Sequence, residues 1–278
     1  MRIRSYNNEA VLYLIPTPIG NMEDITLRAI NILKEVDILL CEDTRVTGSL
    51  LHHLNIKKKL LACHDYNEDE VKDKVLDYLK DGKKVGLVTD RGTPIISDPG
   101  YKVVKYLINN GYPVVSLPGP TAFVPALTMS SLNPAPFLFY GFLNAKKSKR
   151  RKELEELSLF PYTLIFYEAP HRILDTLEDI LSVFGNREIS LAREISKIYE
   201  ENIHGTISEV LKEVDSIKGE MVLVVSGCVL EEKQLSPEEI IDGLVEDGMS
   251  LNEAIKEAAH QLHLPKNDIY QLYHRKEK

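Results

Sequence analysis

Apolar residues along this chain gather in short runs, and between the runs they recur at helical spacing. "VLYLIP", "VDILLCED", "LLACHD", "KVGLVTD" and "PVVSLPG" have the length and branched aliphatic content of buried strands. Between them Leu27, Ile30 and Leu33, and later Val71, Val75 and Leu79, return every three or four residues and predict helices with one apolar face. Strands alternating with helices predict βαβ units on a parallel sheet. The rhythm breaks where five prolines fall between Pro118 and Pro136, which marks a domain connection. Strand runs resume at "FLFYGF", "YTLIFYEAP", "EISLAREIS" and "EMVLVVSG", with a helix over 171–184, and predict a second α/β domain. Beyond these the pattern is helical only. Ile255, Ala258, Ala259 and Leu262 share one face, and "LPKNDIYQLY" begins another helix, as in a small helix-turn-helix unit that suits packing and nucleic-acid reading equally. The expected organisation is therefore 1–120, 121–229 and a helical tail over 230–278.

Composition narrows the class. With 278 residues, 44% hydrophobic and 27% charged, the chain is globular, neither disordered nor fibrous. Basic residues precede the apolar run at Val11 to Ile15, but that run is too short for a signal-peptide core, and nothing approaches the ~20 apolar residues of a membrane span. Cys41, Cys63 and Cys228 are odd in number, far apart and form no CxxC pair, which predicts free thiols and a cytoplasmic location. A formal net charge of -8 argues against a general duplex binder. Against that background "KKSKRRK" at 146–152 stands out, six cations in seven residues followed by Glu153, Glu155 and Glu156. It reads either as a solvated helix start or as an edge that grips phosphates.

Candidate chemistry sits where strands end. Ligands of open α/β sheets bind beyond the carboxyl ends of the strands, and three loops there are rich in Pro and Gly: "PTPIGN" after the first strand, "DRGTPIISDPG" after the fourth and "PGPTA" after the fifth. Glycine lets a ligand approach the backbone and proline holds a loop pre-formed. Together they predict one binding cleft. There is no GxGxxG after the first strand, no GxxxxGK[ST], no HExxH and no acidic magnesium cluster, so no dinucleotide site, P-loop or metal is expected. His52, His53, His260 and His263 read as surface or packing residues.

"PTPIGN", "CEDTR", "TDRGTPIISDPG", "PGPTA", "YEAPHR" and "KGE", in this order, resemble the tetrapyrrole methylase-type family of S-adenosyl-L-methionine-dependent methyltransferases, and within it the branch acting on small-subunit ribosomal RNA. The resemblance runs from about Val11 to Gly227 and extends to the helical tail. It implies two α/β domains with the cofactor in the cleft between them, a homodimer, and methylation of a cytidine ribose 2'-hydroxyl in the decoding region, on free RNA or an assembled 30S subunit. The cofactor-binding residues expected from the loops are Pro16, Gly20, Asp90, Gly92, Thr93, Ile95, Ser97, Thr121 and Ala122. Attack by a ribose hydroxyl calls for a positioned proton acceptor. "YEAPHR" supplies Glu168, His171 and Arg172, and "AREISK" supplies Arg193, Glu194 and Lys197. Glu168 or Lys197 is expected to accept the proton, and Arg172 and Arg193 to clamp phosphate or ribose. One departure is Arg91, where the family pattern "TDAGTP" has alanine; it is expected to pair with Asp90, Asp98 or the methionine carboxylate, or else to face solvent. A tetrapyrrole C-methyltransferase and an RNA-binding homologue without catalysis are the alternatives.

Overall fold

A computed structural model describes residues 10–214, 217–229 and 236–274; the basic opening at 1–9 and the expected domain boundary at 230 lie outside them. The chain divides into two compact units, Met1–Cys228 and Val229–Lys278.

The first unit holds two sheets. The first comprises β1 (Leu12–Leu14), β2 (Ile38–Cys41), β3 (Lys59–Ala62), β4 (Val85–Leu87) and β5 (Val114–Ser116), all parallel, in the order β3-β2-β4-β1-β5. Successive strand residues point to opposite faces, and both faces are covered. Tyr13, Leu39 and Cys41 pack against Ala29 and Leu33 of α1 (Leu27–Glu35) and Leu51 of α2 (Thr44–His53). Leu12, Leu14 and Leu40 pack against Val71, Val75 and Leu79 of α3 (Glu68–Lys80) and Val103 and Leu107 of α4 (Tyr101–Asn109). Burial on both faces is why these strands read as unbroken apolar runs.

After α5 (Phe123–Thr128) the second sheet runs β6-β7-β10-β8-β9. Its strands are β6 (Phe137–Phe142), β7 (Thr163–Glu168), β8 (Glu188–Arg193), β9 (Glu201–Thr206) and β10 (Met221–Val225); β6 and β7 are parallel and the other pairs antiparallel. One face carries α6 (Lys147–Leu157), α7 (Ile173–Phe184) and α8 (Ile207–Glu213) over Leu164, Phe166, Leu191 and Leu223. On the other, Ile165, Val222 and Val224 pack with Ala126 and Leu127 of α5 and with Ile19 from the first sheet's leading loop. That smaller face is where the two sheets meet. The sequence pattern anticipates every strand but β9, whose "ENIHGT" is a polar edge strand without apolar alternation.

The basic run needs correction. Arg150 is 2% exposed, and its Nε and Nη2 donate to Asp179 of α7 at 2.8 and 2.7 Å. Asp179, itself buried, also meets Arg151 at 3.3 Å and Lys147 at 3.9 Å. Half of the apparent phosphate edge is thus committed to a buried carboxylate, because Arg150 lies four residues before Leu154 on the inward face of α6. Lys146, Lys149 and Lys152 remain exposed.

Among the described residues the second unit comprises three helices, α9 (Pro237–Glu246), α10 (Leu251–Gln261) and α11 (Lys266–His274), around Ile241, Ala254, Ile255, Ala258 and Ile269. Ser236 with Glu239, and Ser250 with Glu253, form capping boxes that start the first two. No helix among the described residues is long and apolar enough to cross a membrane. Cys41 and Cys63 are buried free thiols, pushed up to about 11 and about 12 chiefly by that burial, and so are poor nucleophiles.

Candidate functional site

The three Pro- and Gly-rich loops leave β1, β4 and β5, which are neighbours in the sheet and point the same way. Hydrogen bonds knit them together. Thr17 and Gly92 exchange backbone bonds of 2.9 and 3.0 Å, the Thr17 hydroxyl donates to the Thr89 carbonyl at 3.2 Å, and that of Thr93 to the Pro120 carbonyl at 2.9 Å. A Cβ on Gly119 would lie 2.6 Å from Pro16, so glycine there lets the loops close on each other. The β4 loop is strained as well as braced. Ile95 and Ser97 have φ of 76° and 68°, conformations that non-glycine residues seldom adopt and that the surrounding structure must hold.

These loops form one wall of a cavity of about 530 Å³, and the other wall comes from the second sheet. Asp90, Gly92, Thr93, Ser97, Thr121 and Ala122 lie on the first wall and Glu168 on the second, so seven of the expected site residues are brought together. Pro16 and Ile95 stand behind it, Pro16 against Gly119 and Ile95 in the core beneath β4. Gly20 also lies off the wall; a Cβ there would come within 2.3 Å of the Lys197 side chain, which crosses it.

Several wall residues were not expected. Gly141, with φ of 84°, sits at a bulge where β6 slips against β7, and this directs Phe142 onto the cavity beside Tyr167, ring centroids 5.5 Å apart. The three phenylalanines and one glycine of "FLFYGF" were the available signal. Glu42 follows β2 inside "CEDTR", and Glu220 precedes β10 inside "KGE".

Charge on the first wall is acidic apart from Arg91, which is turned to Glu220. Glu42, Asp90 and Asp98 line the cavity, and the described ion pairs do not reach them. Burial pushes the Asp98 carboxyl up to about 6 against the opposing Thr89 hydrogen bond, with the charges of Glu42, Asp90 and Asp65 adding to the rise. Glu42 is raised by burial and then by Asp90. Carboxylates crowded without an ion-pair partner suit a positively charged ligand.

The charged residues of the second wall are arranged differently from expectation. Glu168 is 2% exposed; its Oε1 accepts from the Ala169 amide at 2.7 Å and from Arg172 Nε, while Oε2 has no partner. Arg172 also donates to the Leu143 carbonyl at 3.1 Å, so it braces Glu168 and is no free phosphate clamp. Arg193 is likewise occupied, by Glu201 and the Lys218 carbonyl, off the cavity wall. Lys197 donates to Glu194 at 2.8 Å and Glu220 at 3.2 Å, and this pairing holds the Glu194 carboxyl below its usual range. An ammonium between two carboxylates is poorly disposed to accept a proton. Arg91 reaches neither Asp90 nor Asp98 but Glu220, at 2.5 Å, joining the two walls. Both partners are more than half exposed, so Arg91→Ala is expected to cost no more than about 1 kcal/mol of stability in chemical denaturation. A larger loss would mean that this bridge holds the walls together.

Two braced walls, a mostly acidic lining and a buried carboxylate with an unpartnered oxygen define the site. The chain belongs to the tetrapyrrole (corrin/porphyrin) methylase family, whose model matches residues 11–211. Over nearly its full length it is similar to proteins named ribosomal RNA small subunit methyltransferase I. That of Bacillus subtilis (strain 168) is 45% identical over 99% of both chains, and that of Escherichia coli O157:H7 is 42% identical over 95% of this chain and 94% of its own. Among solved structures, uroporphyrin-III C-methyl transferase from Thermus thermophilus complexed with S-adenosylhomocysteine has a TM-score of 0.57 at 21% identity, covering 78% of this chain and 97% of its own. That likeness is one of fold.

Proposed function

We propose that this protein is an S-adenosyl-L-methionine-dependent methyltransferase of small-subunit ribosomal RNA, and that it methylates the ribose 2'-hydroxyl of a cytidine in the decoding region. The family and the full-length relatives support the coarser reading. The observation that carries it is the cavity beyond three adjacent parallel strands, whose volume of about 530 Å³ falls in the range of small-ligand sites. Its lining fits the cofactor: Glu42, Asp90 and Asp98 offset positive charge, while Ile19, Ala122 and Val222 offer an apolar surface. When bound, S-adenosylmethionine supplies an activated methyl group.

The remaining work falls to the chain. Braced loops hold the reactants in line and exclude water, which in methyl transfer contributes more than any single side chain. Glu168 takes the hydroxyl proton. As the new C–O bond forms the hydroxyl becomes strongly acidic, so a carboxylate is a sufficient base, and the unpartnered Oε2 is the atom free to accept it. Arg172 and the Ala169 amide hold that carboxylate in place through Oε1. Exposed Phe142 beside Tyr167 offers a stacking surface for an unpaired base, the usual way RNA is read. The lysines left free on α6 follow closely in the chain and supply cations for its backbone. A homodimer in the cytoplasm is part of the same proposal.

Changing Lys146, Lys149 and Lys152 together to Ala is expected to raise KM for RNA and to flatten its salt dependence by about one unit of slope for each phosphate that the variant no longer neutralises. Cofactor affinity should not change, because those lysines are outside the cavity wall. Kinetics at several salt concentrations check this; parallel salt plots for variant and parent would place the RNA elsewhere. Arg150 is excluded from the set because its removal would test folding instead.

A further inference from the structure

The cavity's charge leads one step further. Glu42 follows β2, and Asp90 and Asp98 follow β4, so three carboxylates converge from two neighbouring strands. Across from them Glu168, 2% exposed, lines the same cavity and has an Oε2 without a hydrogen-bond partner. Arg172 answers Glu168 through Oε1, and Arg91, the cation on the wall among the described residues, is taken by Glu220. Glu42, Asp90 and Asp98 are left without an ion-pair partner; the positive charge that Asp90 feels is that of exposed Arg45, itself paired with Asp43. Like charges held together in a half-buried cavity repel one another and are favourable only toward a cation.

S-adenosylmethionine carries a sulfonium and an ammonium against one carboxylate, a net charge of about +1 at neutral pH, where its product is neutral overall. When the ribose oxygen takes the methyl group, the electron pair of the broken S–C bond stays on sulfur, which becomes an uncharged thioether, and the hydroxyl proton passes to the acceptor. We propose that Glu42, Asp90 and Asp98 form a charge selector that binds the sulfonium cofactor more tightly than its thioether product, so that methyl transfer itself loosens the product. The inference rests on the S-adenosylmethionine reading above. Asp98 is its adjustable member. The groups facing it are Glu42, Asp90, Asp65, Tyr167 and the Thr89 hydroxyl, from four strand ends, and none is a cation. Its carboxyl, raised to about 6, is ionised at pH 7.5 and protonated at pH 5, so the selection is present above about pH 6 and fades below it.

Calorimetric titration of the full chain with S-adenosylmethionine, S-adenosylhomocysteine and sinefungin, an analogue with an amine in place of the methylsulfonium, tests the proposal. At pH 7.5 the two cationic ligands should bind at least about tenfold more tightly than the thioether, since at an effective dielectric of about 20 one pair of unit charges gives a factor of about ten even at about 12 Å. Asp98→Asn should bring that ratio down severalfold by weakening the cationic ligands while leaving the thioether nearly unchanged. Arg91→Ala, which takes the cation off the wall and leaves Glu220 to Lys197 alone, should raise it. In buffers of different ionisation enthalpy near pH 6, S-adenosylmethionine should release protons on binding and the thioether should not. Glu42→Gln serves the same comparison where Asp98→Asn does not fold. Equal or tighter binding of the thioether, or equal weakening of all ligands by Asp98→Asn, would overturn the selector while leaving the cofactor reading intact. Failure of every ligand to bind the folded protein would overturn both.

Discussion

Glu168→Gln is expected to lower kcat for RNA methylation by a factor of about 10² to 10⁴, the usual contribution of a positioned proton acceptor, with KM for RNA changed only severalfold. Glutamine keeps the volume and can still accept the Ala169 amide and Arg172 through its carbonyl oxygen, but it puts an amide where the free Oε2 stood. Some stability is also lost, because Arg172 is left without a countercharge. The readout that separates the roles is kcat set beside cofactor affinity: loss of the acceptor should lower kcat while the folded variant binds S-adenosylmethionine as tightly as the parent, whereas a purely structural loss would lower both. Lys197→Met is the comparison. Its ammonium is already held by Glu194 and Glu220, so kcat should fall far less. The opposite ranking, Lys197→Met severe and Glu168→Gln within about threefold, would transfer the role to Lys197.

Arg150→Ala should unfold the protein more easily by about 3 kcal/mol, the lower end of the cost of breaking a buried ion pair. Asp179, 1% exposed, would lose both bonds from Arg150 and keep only the weaker approaches of Arg151 and Lys147. In a domain of this size that corresponds to a fall of roughly 6 to 12 °C in Tm. Denaturant unfolding with an unchanged m-value would attribute the loss to stability, and Arg150→Met combined with Asp179→Leu should recover most of it. A loss under about 1 kcal/mol would mean that water reaches the pair and that α6 is held by Leu154 alone.

How far the sequence could be read depended on whether a feature was local. The buried strands of the parallel sheet declared themselves because both faces are covered, and the three Pro- and Gly-rich loops converge because they follow adjacent strands. Six of the nine loop residues expected at the cofactor line the cavity, and Pro16, Gly20 and Ile95 serve as close-packed support behind it. The charged residues were harder to place, since a side chain's partner is a property of the folded chain. Arg91 and Glu220 are 129 positions apart, and residue type does not distinguish Arg150, which is buried, from Lys149, which is exposed. Helical spacing from Leu154 was the one signal available for Arg150. Phe142 reaches the cavity because a bulge at Gly141 redirects the end of β6, and strand alternation cannot foresee a bulge.

The central claim is tested most directly by methyl transfer itself. The full chain is incubated with S-adenosylmethionine labelled on the methyl group, together with naked small-subunit ribosomal RNA, isolated 30S subunits or whole ribosomes, and the labelled nucleotide is then mapped. The account predicts label on a single cytidine of the small-subunit RNA, in alkali-resistant form because the 2'-oxygen is blocked, and its loss in Glu168→Gln. Label on a base carbon or nitrogen, or no transfer to any of the three substrates by protein that binds the cofactor, would contradict it.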